Sequence, residues 1–233
     1  MGFITFEDIV REYRVGDSVI KAVDGVSFEI KEGDFNVILG QSGAGKTTIL
    51  NLLGGMDTST SGTITVGGEK VSSMSERQLT IYRRNTIGFV FQFYNLVPNL
   101  TALENVQLAK EICKDPLNPK EMLERVGLAN RMYNFPSQMS GGEQQRVSIA
   151  RALAKNPKIV LCDEPTGALD SGTGRIVLKL IKDVARDMNK TVIVVTHNAP
   201  IADMANCVIH MQDGKVKSIK QNHAPKEVEE IVW

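Results

Sequence analysis

The sequence predicts an α/β fold with a mainly parallel sheet, an antiparallel β edge and an inserted helical segment. Three observations carry this expectation. Short β-branched or aromatic runs at Phe35–Leu39, Ile87–Phe91, Ile159–Cys162 and Val192–Val195 read as strands. They are continuous rather than alternating, as strands covered on both faces should be. Helical patterns lie between them, at Lys46–Leu53, Gly142–Lys155 and Ile176–Met188, and such alternation marks a parallel α/β sheet. Each run also delivers polar groups at its C-terminal end. Phe35–Leu39 enters Gly40 and a glycine-rich loop, Ile87–Phe91 enters Gln92, Ile159–Cys162 enters Asp163 and Glu164, and Val192–Val195 enters Thr196 and His197. Ligands of open parallel sheets bind at that edge. One polar ending carries no weight, but together these endings make a site.

Taken in chain order, the segment Met1–Ser27, with strand-like pieces around Phe3–Phe6 and Val26–Ile30, is expected to add an antiparallel edge with Thr63–Val66. The character changes after Phe93. Pro98, Pro116, Pro119 and Pro136 interrupt helical signals at Ala102–Ile112 and Pro119–Val126, where Asn118 can cap and Pro119 can occupy the first turn. The chain is therefore read as one domain. Residues 1–92 and 139–217 form the α/β core with its β edge, 93–138 a helical subdomain and 218–233 a tail. In the tail, Pro225 followed by Val228, Ile231 and Val232 suggests a short amphipathic helix. No internal repeat or low-complexity segment is evident.

Composition narrows the function. Lys and Arg number 27 against 27 Asp and Glu, a formal net charge of zero, which argues against a broad basic surface for nucleic acid. Apolar residues at 42% are too many for a disordered chain. Cys113, Cys162 and Cys207 are scattered, with neither a disulfide framework nor a zinc spacing, which points to a reducing cytosol. No apolar run is long enough to span a bilayer, and no signal-peptide pattern opens the chain. Met1-Gly2 invites myristoylation, but Phe6 stands where Ser or Thr belongs. Membrane association is thus expected only through a partner.

The strongest chemical signal is Gly40-Gln41-Ser42-Gly43-Ala44-Gly45-Lys46-Thr47, a full match to the Walker A phosphate loop. Its glycines let backbone N–H groups approach phosphate oxygens, and the helix that follows adds the positive end of its dipole. Lys46 can reach the β- and γ-phosphates, and the Thr47 hydroxyl can ligate Mg²⁺. Asp163, at a strand end, can hold Mg²⁺ through water, as in other P-loop enzymes. Glu164 is expected to point elsewhere, because side chains alternate along a strand, leaving it free to orient water. Ser140 followed by Glu143 is a capping box for the helix carrying Val147, Ile149, Ala150 and Leu153. A cap needs no glycines, whereas Gly141 and Gly142 suit N–H groups that must approach an anion. Both readings can hold. Gln92, His197 and Tyr13 are weak signals alone, and strand-end placement strengthens the first two.

Walker A, Gln92, Ser140–Gln145, the Walker B run Ile159–Glu164, Ala168-Leu169-Asp170 and His197 stand in the order and spacing of ABC-transporter nucleotide-binding domains. The resemblance extends from Tyr13 to about Val216. Arg83–Gln92, Asn95–Pro98, Asp163–Asp170 and Thr196–Asn198 further resemble the MacB/LolD/FtsE branch, which pairs with FtsX-type permeases. The resemblance implies a P-loop NTPase core of ABC ATPase fold, ATP with Mg²⁺, and a homodimer holding two ATP molecules at its interface. It implies that Tyr13 stacks on adenine, and that Gly40, Ser42, Gly43, Ala44, Gly45, Lys46, Thr47 and Thr48 bind phosphate. Thr47, Gln92 and Asp163 would serve the metal, Glu164 would be the general base, and His197 would support the γ-phosphate and attacking water. Asp170 would lie at the dimer seam, while Ser140, Gly141, Gly142 and Glu143 would meet ATP held by the other subunit. Met139 replaces the usual Leu of the signature. Glu143 stands where many members have Gln, and a carboxylate there would weaken ATP binding by repulsion.

Three functions follow from this resemblance. One is an ATPase subunit driving a MacB-type permease that handles peptides, lipoproteins or toxic compounds. Another is an FtsE-like regulator of a cell-wall hydrolase. The third, a soluble ABC ATPase, usually brings a coiled-coil insertion or a second cassette, and this sequence has neither. The first two place the chain on the inner face of the cell membrane, held by its permease, with contact expected near Gln92 and through Phe93–Leu100.

Overall fold

The continuous apolar runs become neighbouring strands of one sheet in the computed structural model, which describes residues 2–231. In chain order the strands and helices are β1 (Ile4–Val15), β2 (Ser18–Ile30), β3 (Phe35–Leu39), α1 (Lys46–Leu53), β4 (Ser61–Val66), β5 (Glu69–Lys70), α2 (Glu76–Asn85) and β6 (Ile87–Val90). Then follow α3 (Ala102–Glu111), α4 (Pro119–Arg125), α5 (Gly141–Ala154), β7 (Ile159–Asp163), α6 (Ser171–Met188), β8 (Thr191–Thr196), β9 (Cys207–Gln212) and β10 (Lys215–Gln221).

The main sheet has the order β10-β9-β3-β8-β7-β6 and is parallel except for β10. Side chains alternate between two apolar clusters. Val160, Cys162, Val192 and Val194 face α5 and α6, whereas Ile159, Leu161, Ile193 and Val195 face α1 and the antiparallel strands. Both faces are covered, which is why the strands read as unbroken hydrophobic runs.

The N-terminal strands form a sheet of their own, ordered β2-β1-β4-β5 and wholly antiparallel, rather than an edge of the parallel one. The strands β1 and β2 are 12 and 13 residues long, well beyond the pieces the sequence suggests. Register shifts along β1 break the alternation there and hide its continuity. The parallel sheet gains its antiparallel edge from β10 instead. Consequently Ser218–Gln221 are strand, not tail. Farther on, Val228 and Ile231 are buried against α6, and Lys179 and Lys182 pair with Glu229 and Glu227. Only Val228–Glu230 forms a helical turn, of 3₁₀ type, and Val232 lies outside the described residues.

Helix α6 begins five residues before the predicted Ile176. Asp170 caps it by accepting the Thr173 N–H at 3.0 Å, and Gly172 and Gly174 in its first turns had masked the start. Helix α2 escapes a periodicity reading because only Leu79 and Tyr82 are buried, although Ser75 and Gln78 form a capping box. As expected, Asn118 caps α4 with Pro119 in its first turn. Val106 of α3 and Leu123 of α4 share an apolar cluster with Val147 and Leu153 of α5. The inserted helices therefore rest on the helix opened by Ser140.

Candidate active site

Register brings the strand ends together. Leu39 lies opposite Thr196 and Asp163 opposite Val195, so Gly40, Glu164 and His197 leave the sheet at one level. Val90 lies opposite Cys162, which carries Gln92 to the same edge.

The phosphate loop owes its shape to close approaches. Gly45, with φ of 91°, would place a Cβ 2.3 Å from the Ala22 carbonyl oxygen, so only glycine fits. At Gly40 a Cβ would meet the Met211 carbonyl oxygen at 2.4 Å. The loop is thus pressed onto β2 and β9, with Gln41, Ser42 and Gly43 exposed. No side chain caps α1, and its first turn carries no acidic residue, as an anion site at a helix N-terminus requires. Lys46 is only 7% exposed and donates to the Gln41 carbonyl at 2.9 Å, which holds the ammonium within the loop.

Across from the loop, Thr47 Oγ1 donates to Asp163 Oδ1 at 3.3 Å. Burial raises the Asp163 pKa, Thr47 and Lys46 oppose that shift, and the neighbouring Glu164 charge adds to it. Strand alternation does not set the direction of Glu164, contrary to expectation. The strand ends at Asp163, and Glu164 adopts a left-handed backbone with φ of 46°. Its Oε1 lies 2.7 Å from His197 Nδ1, and its Oε2 accepts from Thr196 Oγ1 at 3.0 Å.

These groups border a cleft of about 1180 Å³. Of the residues singled out in the sequence, Gly40, Ser42, Gly43, Ala44, Gly45, Lys46, Thr47, Thr48, Gln92, Asp163, Glu164 and His197 line it. The donor set fits Mg²⁺: a hydroxyl and a carboxylate supply hard oxygens, and Mg²⁺ binds through one or two carboxylates plus phosphates and water.

Tyr13 is not brought to the cleft. Its hydroxyl donates to Asp57 at 2.6 Å, and Arg11, paired to the same carboxylate, lies 4.5 Å from the ring centroid. Ala22 of the same hairpin lines the cleft instead. Ser140, Gly141, Gly142, Glu143 and Asp170 also lie outside its lining. The capping box is present, with Ser140 Oγ accepting from the Glu143 amide at 3.2 Å and Glu143 Oε2 accepting from the Ser140 amide at 2.8 Å. Side chains of neighbouring elements crowd both glycines. A Cβ on Gly142 would lie 2.1 Å from Thr173 Cγ2, and one on Gly141 would lie 2.7 Å from the Tyr94 hydroxyl. The Glu143 carboxylate is already engaged, since Arg131 Nε lies 3.2 Å from Oε1. The Ser140 amide and Arg131 both hold its pKa below the ordinary carboxylate value, which keeps it ionised, with the Arg131 charge beside it.

Other cleft residues escaped the sequence reading, among them Ala22, His210, Asp213 and Lys217. A signal existed for the last three. Asp213 and Gly214 both have positive φ, at 49° and 75°, and an Asp-Gly pair between apolar strands is a strong hairpin mark. Ala22 carries no such mark.

A phosphate loop opening a helix at this sheet edge, facing an acidic strand end, defines a P-loop nucleotide site. Residues 23–167 match the ABC transporter family. An ABC transporter ATP-binding protein of Thermotoga maritima is 46% identical over 219 residues, covering 92% of this chain and 93% of that protein. The macrolide export ATP-binding/permease protein MacB of Hyphomonas neptunium is 41% identical over 224 residues, covering 94% of this chain and 35% of that protein. The ATP-binding cassette MJ0796 of Methanocaldococcus jannaschii, solved as a dimer in a post-hydrolysis state with ADP and Pi, superposes with a TM-score of 0.85 at 40% identity. That match covers 94% of this chain and 98% of the other. The chain belongs to the ABC transporter family, as an ATP-binding cassette with MacB-type relatives. It spans half or less of the length of several curated relatives it matches.

Proposed function

We propose that this chain is a Mg²⁺-dependent ATPase subunit that dimerises around two ATP molecules and drives an FtsX/MacB-type permease. The observation that carries the reading is the pairing of Thr47 with Asp163, and of Glu164 with His197, beneath the phosphate loop. The dimer of MJ0796 with ADP and Pi and the fused permease named in MacB support it from outside.

In the proposed reaction the loop amides and Lys46 hold the β- and γ-phosphates, and Thr47, Asp163 and Gln92 position the metal. Mg²⁺, when bound, supplies charge neutralisation on the phosphate oxygens. Glu164 takes a proton from the attacking water as its oxygen bonds to the γ-phosphorus and the bond to the bridging oxygen of ADP breaks. His197 keeps Glu164 and the water aligned. Exposed Ser140 and the start of α5 complete the site of a second copy. Hydrolysis by the purified chain should vanish on chelation and return with added Mg²⁺. Undiminished turnover in excess chelator would count against the metal assignment.

The permease is proposed to dock beside Gln92, with residues 93–138 as the moving helical subdomain and the chain peripheral on the inner membrane face. No helix among the described residues is long and apolar enough to cross a membrane itself. Phe93 is 74% exposed and Val97 40%. The loop between them is fixed to α5 by Arg151, which donates to the carbonyls of Tyr94 and Asn95. Nucleotide contact at Gln92 can therefore be passed to that surface. Polar substitution of Phe93 and Val97 should abolish co-purification with the permease and its transport-linked ATPase activity, while basal hydrolysis persists. Full coupling in the double variant would place the contact elsewhere.

A further inference from the structure

Thr196 ends β8 and is 1% exposed, behind the cleft rather than among its lining. Its Oγ1 lies 3.0 Å from the Asn198 amide nitrogen. An amide N–H only donates, so the hydroxyl must accept there. A hydroxyl carries one proton, and the partner left for it is Glu164 Oε2 at 3.0 Å. The end of β8 holds the Glu164 backbone as well, because the Glu164 amide donates to the Val195 carbonyl at 2.9 Å. Glu164 needs such support, having a left-handed backbone with φ of 46°.

We propose that Thr196 is a positioning residue for hydrolysis, one that orients the Glu164 carboxylate by donating to Oε2 and leaves Oε1, beside His197, as the oxygen that accepts the proton. This rests on Glu164 acting as general base. Thr196 needs no contact with ATP in this role. It fixes the plane of the carboxylate about its terminal bond, so that the lone pairs of Oε1 stay aimed at the water.

The test uses Thr196→Val, nearly isosteric but without the hydroxyl that Glu164 and the Asn198 amide share, beside Thr196→Ser, which keeps it. Thr196→Val should lower kcat roughly 10- to 100-fold, the range expected for a hydrogen bond to a charged group. KM for ATP and equilibrium binding of a fluorescent ATP analogue should stay within about threefold of wild type, because residues that act through one partner lose only that partner's contribution. Thr196→Ser should restore most of the rate. In a Glu164→Gln background, Thr196→Val should slow the residual rate no further, since its effect runs through the carboxylate. A wild-type kcat in Thr196→Val while Glu164→Gln is slow would overturn the proposal but leave the base assignment standing. Loss of nucleotide binding in Thr196→Val, no recovery in Thr196→Ser, or further slowing in the double variant would also overturn it. A near wild-type rate in Glu164→Gln itself would remove the base, and this proposal with it.

Discussion

Lys46→Ala should abolish useful ATP binding and turnover and leave the fold in place. The ammonium is confined at the start of α1, 7% exposed, by its bond to the Gln41 carbonyl. Nothing else singled out in the phosphate loop carries positive charge, and the β- and γ-phosphates bring several negative ones. Removing one partner of a desolvated charge pair costs about 2–5 kcal/mol, or roughly 30- to 5000-fold in affinity. The fold survives because alanine is the best helix former and Lys46 contributes one hydrogen bond, within its own loop. Titration calorimetry with ATP, beside a thermal melt, checks both halves. Wild-type hydrolysis by Lys46→Ala would overturn the site.

Glu164→Gln is the second large effect, and it separates binding from chemistry. Glutamine keeps the size of the side chain and an oxygen that can accept from Thr196, but it cannot take a proton from water. Loss of a general base lowers the rate about 10²- to 10⁴-fold. Binding should persist, because Lys46, Thr47, Asp163 and the loop amides are untouched. Single-turnover hydrolysis measures the first quantity and equilibrium titration the second. Equal loss in both would make Glu164 a structural residue.

The legible part of this molecule was its local chemistry. Strand Phe35–Leu39 and helix Lys46–Leu53 fall where the motif between them requires, and Ser140 caps α5 as its spacing to Glu143 implies. Features set by distant segments are not legible in the local sequence. Gly45 is glycine partly because the Ala22 carbonyl closes over it, and Gly142 because Thr173 of α6 abuts it. Neither partner is near in sequence. Long-range pairing also decides where Tyr13 goes, since Asp57 claims its hydroxyl. Arg131 claims Glu143 in the same way. The hairpin at Asp213-Gly214 differs, because its turn signal is local.

One chain is expected to hold an incomplete site. The cleft gathers the phosphate loop, Asp163, Glu164 and His197, while Ser140 and the start of α5 lie outside it. ATP should therefore join two copies head to tail, each supplying the end of α5 to the other's nucleotide, and hydrolysis should release them. The most direct measurement is light scattering of Glu164→Gln with and without Mg-ATP, beside the same variant carrying Ser140→Arg. With Mg-ATP, Glu164→Gln should form a dimer of twice 25.6 kDa that holds two ATP molecules, with the Ser140→Arg protein remaining monomeric. A Glu164→Gln protein that binds ATP yet stays monomeric at high protein concentration would contradict that expectation.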